Sequence, residues 1–154
     1  LWCTFAECNG QRCNCTYSYN HLDFPAHKPS ETILYIARKI VEGFKSTTDF
    51  PDEVKFPSSA NLNYYYDQYQ YVGWHADDEK SLGTNAVIAS LSLGASRNFK
   101  LKHRHISSAK RDILLTHGSL LIMQATTQHF WKHHIPKTKK VVGPRINLTF
   151  RKVY

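Results

Sequence analysis

The sequence predicts an α+β domain that is mainly β: a β-sandwich or barrel with helical support, for which a double-stranded β-helix (jelly roll) is one solution. Three observations point there. Downstream of residue 60 the chain is a succession of short β-patterned runs broken by turn residues. Helical periodicity is confined to the first half. The 154 residues, 42% hydrophobic and 13% aromatic, are enough for one domain with a sizeable core.

The elements follow in order. The opening stretch LWCTFAECNGQRCNC holds all four cysteines, Cys3, Cys8, Cys13 and Cys15. A cluster at one end cannot staple a whole fold. Neither C-x4-C nor C-x-C is the usual C-x2-C knuckle, so free or locally paired thiols are expected rather than zinc. The stretch has no basic segment leading into an apolar one, so it does not read as a secretory signal; the missing initial Met suggests a fragment or a processed form. From Ser30, the apolar residues Ile33, Leu34, Ile36, Ala37, Ile40, Val41 and Phe44 fall near an i, i+3, i+4, i+7 stripe. This predicts a packing helix that starts at Pro29-Ser30 and ends near Gly43. STTDFPDEVKFPSSAN then reads as loop. Strands are predicted at 61–66, 70–75, 86–93, 97–102, 111–115, 119–123, 129–134 and 145–153. Gly83, Gly94, Gly118, Pro136 and Gly143-Pro144 punctuate them. No apolar run approaches the length of a membrane-spanning helix.

The net charge of +8 is unevenly spread. Residues 1–80 hold 7 Lys/Arg against 11 Asp/Glu, and residues 81–154 hold 13 Lys/Arg against Asp112 alone. A basic half of this kind suggests a polyanionic partner, nucleic acid first, although a solvated basic face would look the same.

The chemistry begins at GWHADDE. His75 and Asp77 stand two apart, the spacing at which a strand aims two side chains at one target. A third ligand is available in HFWKHHIP, from His129, His133 or His134, with His117 and the pair His103/His105 as weaker candidates. Two imidazoles and a carboxylate on one face of a metal leave the other face open, which suits Fe(II) binding a cosubstrate and O2; a catalytic zinc is the alternative. Alone, H-x-D is weak, because a polar loop produces it by chance. The last strand adds weight. In RINLTFR, Arg145, Asn147, Thr149 and Arg151 share one face, while Ile146, Leu148 and Phe150 form an apolar face that packs. Two arginines directed into a barrel are costly unless anions meet them, and a dicarboxylate offers two anionic ends. An exposed edge strand with a polar outer face is the bland alternative.

The order N-x-Y, H-x-D, His, R-x-N-x-T-x-R resembles the AlkB family of Fe(II)/2-oxoglutarate dioxygenases. Here it is Asn63 to Tyr65, His75 to Asp77, His133, and Arg145 to Arg151. WHADDE, IASLSLGASRNFKLKHR, LTHGSLLIMQ and GPRINLTFRK are similar to the eukaryotic nucleic-acid repair branch. The likeness covers about 17–22 and 61–153. It implies a single AlkB-like domain over 1–154, with a base-pocket segment at 1–22 and a catalytic jelly roll at 61–153. It implies Fe(II), O2 and 2-oxoglutarate as cofactors. Iron would be held by His75, Asp77 and His133, the histidine three before the proline of HHIP. Asn63, Tyr65, Arg145, Asn147 and Arg151 would hold 2-oxoglutarate, one arginine near each carboxylate. Tyr17 and Tyr19 would line the base pocket, and Asp78 and Glu79 would favour a cationic methylated base. Lys139 and Lys140, in PKTKK, would grip the strand, Thr138 departing from the family's basic run. Arg97, Lys100, Lys102 and Arg104 form a second basic cluster, although strand alternation puts only part of it on one face. His117 and Trp131 are expected to be a turn residue and a core or wall residue.

The resemblance implies oxidative demethylation of N-alkylated nucleobases, of the 1-methyladenine and 3-methylcytosine type, in DNA or RNA, by an intracellular monomer with no membrane attachment. Two alternatives are an oxygenase acting on a protein side chain and a module that holds modified nucleic acid without turnover. The basic half and the paired tyrosines weigh against the first, and the complete ligand set against the second.

Overall fold

The computed structural model describes residues 2–5, 7–8, 11–12, 16–19, 22–45 and 57–154. In chain order these form β1 (Trp2–Thr4), β2 (Glu7–Cys8), β3 (Gln11–Arg12), β4 (Thr16–Tyr19), β5 (Leu22–Pro25), α1 (Glu31–Lys45), β6 (Ser59–Tyr65) and β7 (Val72–His75). A 3-10 turn, Lys80–Leu82, leads to β8 (Ile88–Gly94), β9 (Arg97–His103), β10 (Lys110–Leu115), β11 (Leu120–Met123), α2 (Thr127–Phe130), β12 (Trp131–Ile135) and β13 (Arg145–Arg151).

Two antiparallel sheets make the body. One has five strands in the order β1-β6-β13-β8-β11, the other four in the order β10-β9-β12-β7. β2 pairs with β3 and β4 with β5 as separate two-stranded ribbons. This is the jelly-roll solution the sequence predicts, with a helix laid outside the larger sheet.

Helix α1 starts as predicted. The Ile33 amide donates to the Ser30 hydroxyl at 3.3 Å, and Leu34 N to the Ser30 carbonyl at 3.1 Å, so Ser30 caps it. Its end also lies near Gly43 as expected: the glycine sits in the last turn of the helix, which runs to Lys45. An exposed glycine costs a helix only about 1 kcal/mol, less than packing of the apolar stripe returns. That stripe, Ile33, Ala37 and Ile40, joins Cys3, Ala60, Ala89, Leu148 and Phe150 in one core on the outer face of the larger sheet. Fully burying a side chain such as Leu148 or Phe150 contributes about 2 kcal/mol. Between the sheets lies a second core of Tyr65, Ile88, Phe99, Leu115, Met123 and Ile135.

Register explains what faces inward. β13 is central in its sheet, with Arg145, Asn147, Thr149 and Arg151 directly opposite Tyr65, Asn63, Asn61 and Ser59 of β6. On its other side they face Gly94, Ser92, Ser90 and Ile88 of β8. Partners directly opposite point to the same face, so one polar row crosses three strands. At its end, Gly94 has a φ of 93°, and a Cβ there would overlap the Pro144 carbonyl oxygen, so glycine alone lets β8 pass the turn into β13.

Three expectations need correction. The strand predicted over 129–134 is instead the short helix α2 followed by β12. His129 N and Phe130 N both donate to Thr126 O, after a turn at Ala125 with φ 51°; a short apolar run does not reveal which backbone it takes. Ile146 does not pack, being 39% exposed opposite the more open Tyr64, outside the patch that joins the helix. The N-terminal strands β1 to β5 have no counterpart among the expected elements; they are two to four residues long, too short for periodicity to register. Among the described cysteines Cys3 is a free, buried thiol donating to Ala60 O at 3.5 Å, and burial raises its pKa. Cys13, Cys15 and the Cys8 side chain lie outside the described residues. No helix among the described residues is long and apolar enough to cross a membrane.

Candidate active site

The site is built where the smaller sheet faces the polar row. β12 pairs with β7 so that His133 stands directly opposite His75, and their rings meet edge-on at 4.2 Å. The chain leaves β7 immediately after His75, which brings Asp77 Oδ1 to 3.5 Å from His75 Nε2. One ligand atom from each of His75, Asp77 and His133 lies within 4.8 Å of the others. The trio read from the sequence is therefore one cluster.

Neighbours fix each ligand. His75 Nδ1 is 2.8 Å from the Gly73 carbonyl. That oxygen only accepts, so Nδ1 carries the proton and the Nε2 lone pair is turned to the cluster. The His133 ring stacks on Phe99 at 5.1 Å, and its Nδ1 is buried with no hydrogen-bond partner among the described residues. Asp77, 3% exposed, receives a hydrogen bond from Arg151 Nη2 at 2.8 Å, and its own backbone N–H donates to Gln128 Oε1 at 3.0 Å. Burial alone would raise the Asp77 pKa, but Arg151 first, then His133 and His75, outweigh it and hold the carboxyl below its ordinary range. Burial pushes His133 down to about 4, against the pull of Asp77, so it is neutral at pH 7, the form that can ligate a metal.

These shifts predict how the metal-free chain responds to acid. His133 titrates near 4 when folded and near 6.5 when unfolded, so the unfolded chain binds the extra proton between those values. Stability present above pH 6.5 is lost as pH falls to 4, by roughly 3 kcal/mol. Asp77, also depressed, adds loss of the same sign at lower pH. Urea midpoints measured against pH with a chelator present check this; His133→Gln should flatten the pH 4 to 6.5 segment.

Two imidazoles, one carboxylate and an open side fit a six-coordinate Fe(II), which keeps positions for other ligands. Beside the trio is a cavity of about 160 Å³, whose lining includes Asn61, Asn63, Tyr65, Ser90, Asn147, Thr149 and Arg151. Asn147 Nδ2 donates to Ser90 Oγ at 2.9 Å and to Leu91 O at 3.1 Å. Arg145 is next in the row beyond Asn147, 1% exposed, its guanidinium 5.0 Å from the Tyr65 ring centre. Its Nη2 donates to Ser92 Oγ at 2.9 Å, while Nε and Nη1 are buried with no hydrogen-bond partner among the described residues. No carboxylate pairs with it among the described residues. A buried guanidinium with free donors is a demand for an anion, and 2-oxoglutarate fits that demand.

The remaining predicted residues fall in several places. Asn63, Tyr65, Asn147 and Arg151 line the cavity, and Arg145 stands behind Tyr65. Asp78 is exposed and accepts from Arg104 at 2.6 Å, while Glu79 is half-buried; both border a second hollow that Asn85 and His129 also line. Tyr17 and Tyr19 lie on β4, but their side chains are outside the described residues. Lys139 and Lys140 are exposed on the loop after β12, which is tied down by Thr138 N donating to Gln68 O. Arg97 is a correction. It is 3% exposed, and its guanidinium donates to the carbonyls of Asp67, Gln70 and Pro136. It pins two loops together and offers nothing to a phosphate, because alternation turns it inward with Phe99. His117 Nδ1 accepts from Gly94 N, a turn role as expected. His129 meets Asn85, and His103 stacks on Phe130, both away from the trio.

Sequence reasoning missed Gln128, 3% exposed, which holds the Asp77 backbone and is itself in reach of Met123 Sδ at 3.6 Å. A lone glutamine carries no motif. Gln128→Ala is expected to weaken metal affinity by about 10–100-fold with the three ligands intact; titration with Mn(II) reads it.

Comparisons with known proteins agree with this geometry. A family model described as the 2OG-Fe(II) oxygenase superfamily matches residues 3–151. The chain is 46% identical over 105 residues to the Mus musculus alpha-ketoglutarate-dependent dioxygenase alkB homolog 3, covering 63% of this chain and 37% of that protein. It is 35% identical over 158 residues to the Arabidopsis thaliana DNA oxidative demethylase ALKBH2, covering 88% of this chain and 46% of that protein. It thus spans less than half the length of these relatives. The solved structure of OsALKBH1 superposes with a TM-score of 0.63 over 83% of this chain and 66% of that one, at 19% identity, a likeness of fold. Because the family match takes in every strand that bears a trio member or a buried arginine of the polar row, the chain belongs to the 2OG-Fe(II) oxygenase superfamily.

Proposed function

We propose that the chain removes N-methyl groups from nucleobases of the 1-methyladenine and 3-methylcytosine type, in DNA or RNA, while converting 2-oxoglutarate to succinate and CO2. The observation that carries the oxidative part is the His75, Asp77 and His133 trio opening on a cavity beside Arg145, whose buried guanidinium has no carboxylate partner among the described residues. The nucleobase part draws on the similar proteins, two of which are named a dioxygenase and a DNA oxidative demethylase.

Fe(II) with 2-oxoglutarate and O2 supplies the oxidation of the methyl C–H bond; the hydroxymethyl product breaks its C–N bond and leaves as formaldehyde. The chain's own residues do the rest. His75, Asp77 and His133 hold the metal, and Arg151 keeps Asp77 charged and aimed. Arg145 takes the far carboxylate of the keto acid, and Asn63, Tyr65 and Asn147 set its path. Asp78 and Glu79, immediately after the ligand Asp77, border the hollow where a cationic methylated base would enter; Asp78 is already paired with Arg104, so Glu79 is the carboxylate that favours the cation over the neutral base. Tyr17 and Tyr19 stack on that base, and Lys139 and Lys140 meet flanking phosphates.

The test is a panel of single- and double-stranded DNA and RNA oligonucleotides carrying either lesion, with Fe(II) and 2-oxoglutarate. Formaldehyde and succinate released in equal amounts, with the base restored, is the expected result. Turnover on methylated peptides alone, or tight oligonucleotide binding without succinate, would contradict it.

A further inference from the structure

The outer face of the four-stranded sheet carries a feature that the catalytic site does not use. β9 is flanked by β10 and β12, and Lys102 stands directly opposite Lys110 on one side and Lys132 on the other. Three lysines thus form one row across three strands, about 10 Å from end to end by strand spacing. Like charges directly opposite each other cost a sheet stability. The neighbouring row shows the ordinary remedy, since Lys100 in that row is bonded to Asp112 at 2.9 Å. No ion pair among the described residues includes Lys102, Lys110 or Lys132. Beside the row, Trp74 of β7 is 39% exposed, its ring stacked on His134 at 3.8 Å and capped by Lys102 Nζ at 4.4 Å from its centre.

We infer that this face is a docking strip for the phosphate backbone of a nucleic-acid strand, separate from the base pocket, with Lys102, Lys110 and Lys132 as its phosphate contacts. The inference rests on the nucleic-acid reading above and gives that substrate a second point of attachment. A polyanion relieves the repulsion the row builds in, and its binding releases counterions. Charge complementarity, together with the nucleic-acid reading of the site, favours a nucleic-acid strand over an acidic peptide; Trp74, already stacked on His134 and capped by Lys102, sits beside the row. The strip lies on the back of the strands that carry His75 and His133, so a strand held there runs alongside the site.

The test uses the full chain and the variant with Lys102, Lys110 and Lys132 all changed to Gln. Affinity for an unmodified 30-nucleotide single strand is measured against salt, and formaldehyde release is measured on a methylated trinucleotide too short to reach the strip. The variant should melt no lower than the parent, because repulsion has been removed. Its plot of log affinity against log salt should be shallower by about 2. The single change Lys110→Gln, on the edge strand, should lower the slope by about 0.7 and guards against misfolding of the triple variant. Unchanged slopes in both variants overturn the inference. So does tighter binding of polyglutamate than of the oligonucleotide, with both lost in the triple variant, which would mark an acidic protein as the partner. If the slopes fall but the parent releases no formaldehyde from the trinucleotide, the strip stands and the dealkylase reading falls.

Discussion

Changing His133 to alanine is expected to abolish 2-oxoglutarate turnover, whereas His134→Ala keeps most of it. The two residues are neighbours in sequence, but β12 turns them to opposite sides. His133 is 5% exposed, faces His75 and stacks on Phe99. His134 lies on the outer face against Trp74. Loss of a mere outer partner of a ligand costs a metal site about 10–100-fold, so loss of one of three protein ligands should cost more than that. His134→Ala removes one ring stack, worth about 1 kcal/mol, at a surface position. Succinate formation and Mn(II) titration, run on both variants, decide the matter. Equal losses, or the reverse order, would put the strand one residue out of register.

Arg145→Met should have an effect of opposite sign on two quantities. In the free chain the guanidinium is buried, with no hydrogen-bond partner for Nε and Nη1 and no carboxylate among the described residues; burial lowers its pKa, against the pull of Tyr65. A thioether of similar length avoids that desolvation, so the metal-free, keto-acid-free variant should be more stable by about 1–3 kcal/mol. The same change removes the cation proposed to receive the far carboxylate of 2-oxoglutarate. Truncating one side of a buried charge pair costs about 2 kcal/mol or more, or about thirtyfold in 2-oxoglutarate affinity. Thermal melts with and without 2-oxoglutarate read both effects. A variant that is less stable without ligand, yet binds 2-oxoglutarate as the parent does, would make Arg145 a structural brace.

Much of this site is legible in the amino-acid sequence, for identifiable physical reasons. His75 and Asp77 are local, and their two-residue spacing is a property of one chain segment. The face shared by Arg145, Asn147, Thr149 and Arg151 follows from strand alternation alone. Alternation also separates Lys100 and Lys102 from Arg97, as the split of the basic cluster between two faces anticipates. The features that sequence does not disclose depend on pairing between distant segments. Asn61 and Ser90 enter the cavity only because β6 and β8 flank β13 in a particular register. The row of Lys102, Lys110 and Lys132 exists only across three strands. Gln128 reaches Asp77 from 51 residues away. Ile146 alternates correctly yet stays exposed, because periodicity reports a face and not what covers it.

The trio is proposed to hold a ferrous ion next to a keto-diacid whose far carboxylate Arg145 receives, while Arg151 holds Asp77 in place. A crystal structure of the chain grown anaerobically with Mn(II) and 2-oxoglutarate tests it most directly. The expected result is one metal bound by His75, Asp77 and His133, with the diacid between the metal and the Arg145 guanidinium. A metal bound elsewhere, or a diacid lying outside the cavity with Arg145 still unpartnered, would contradict it.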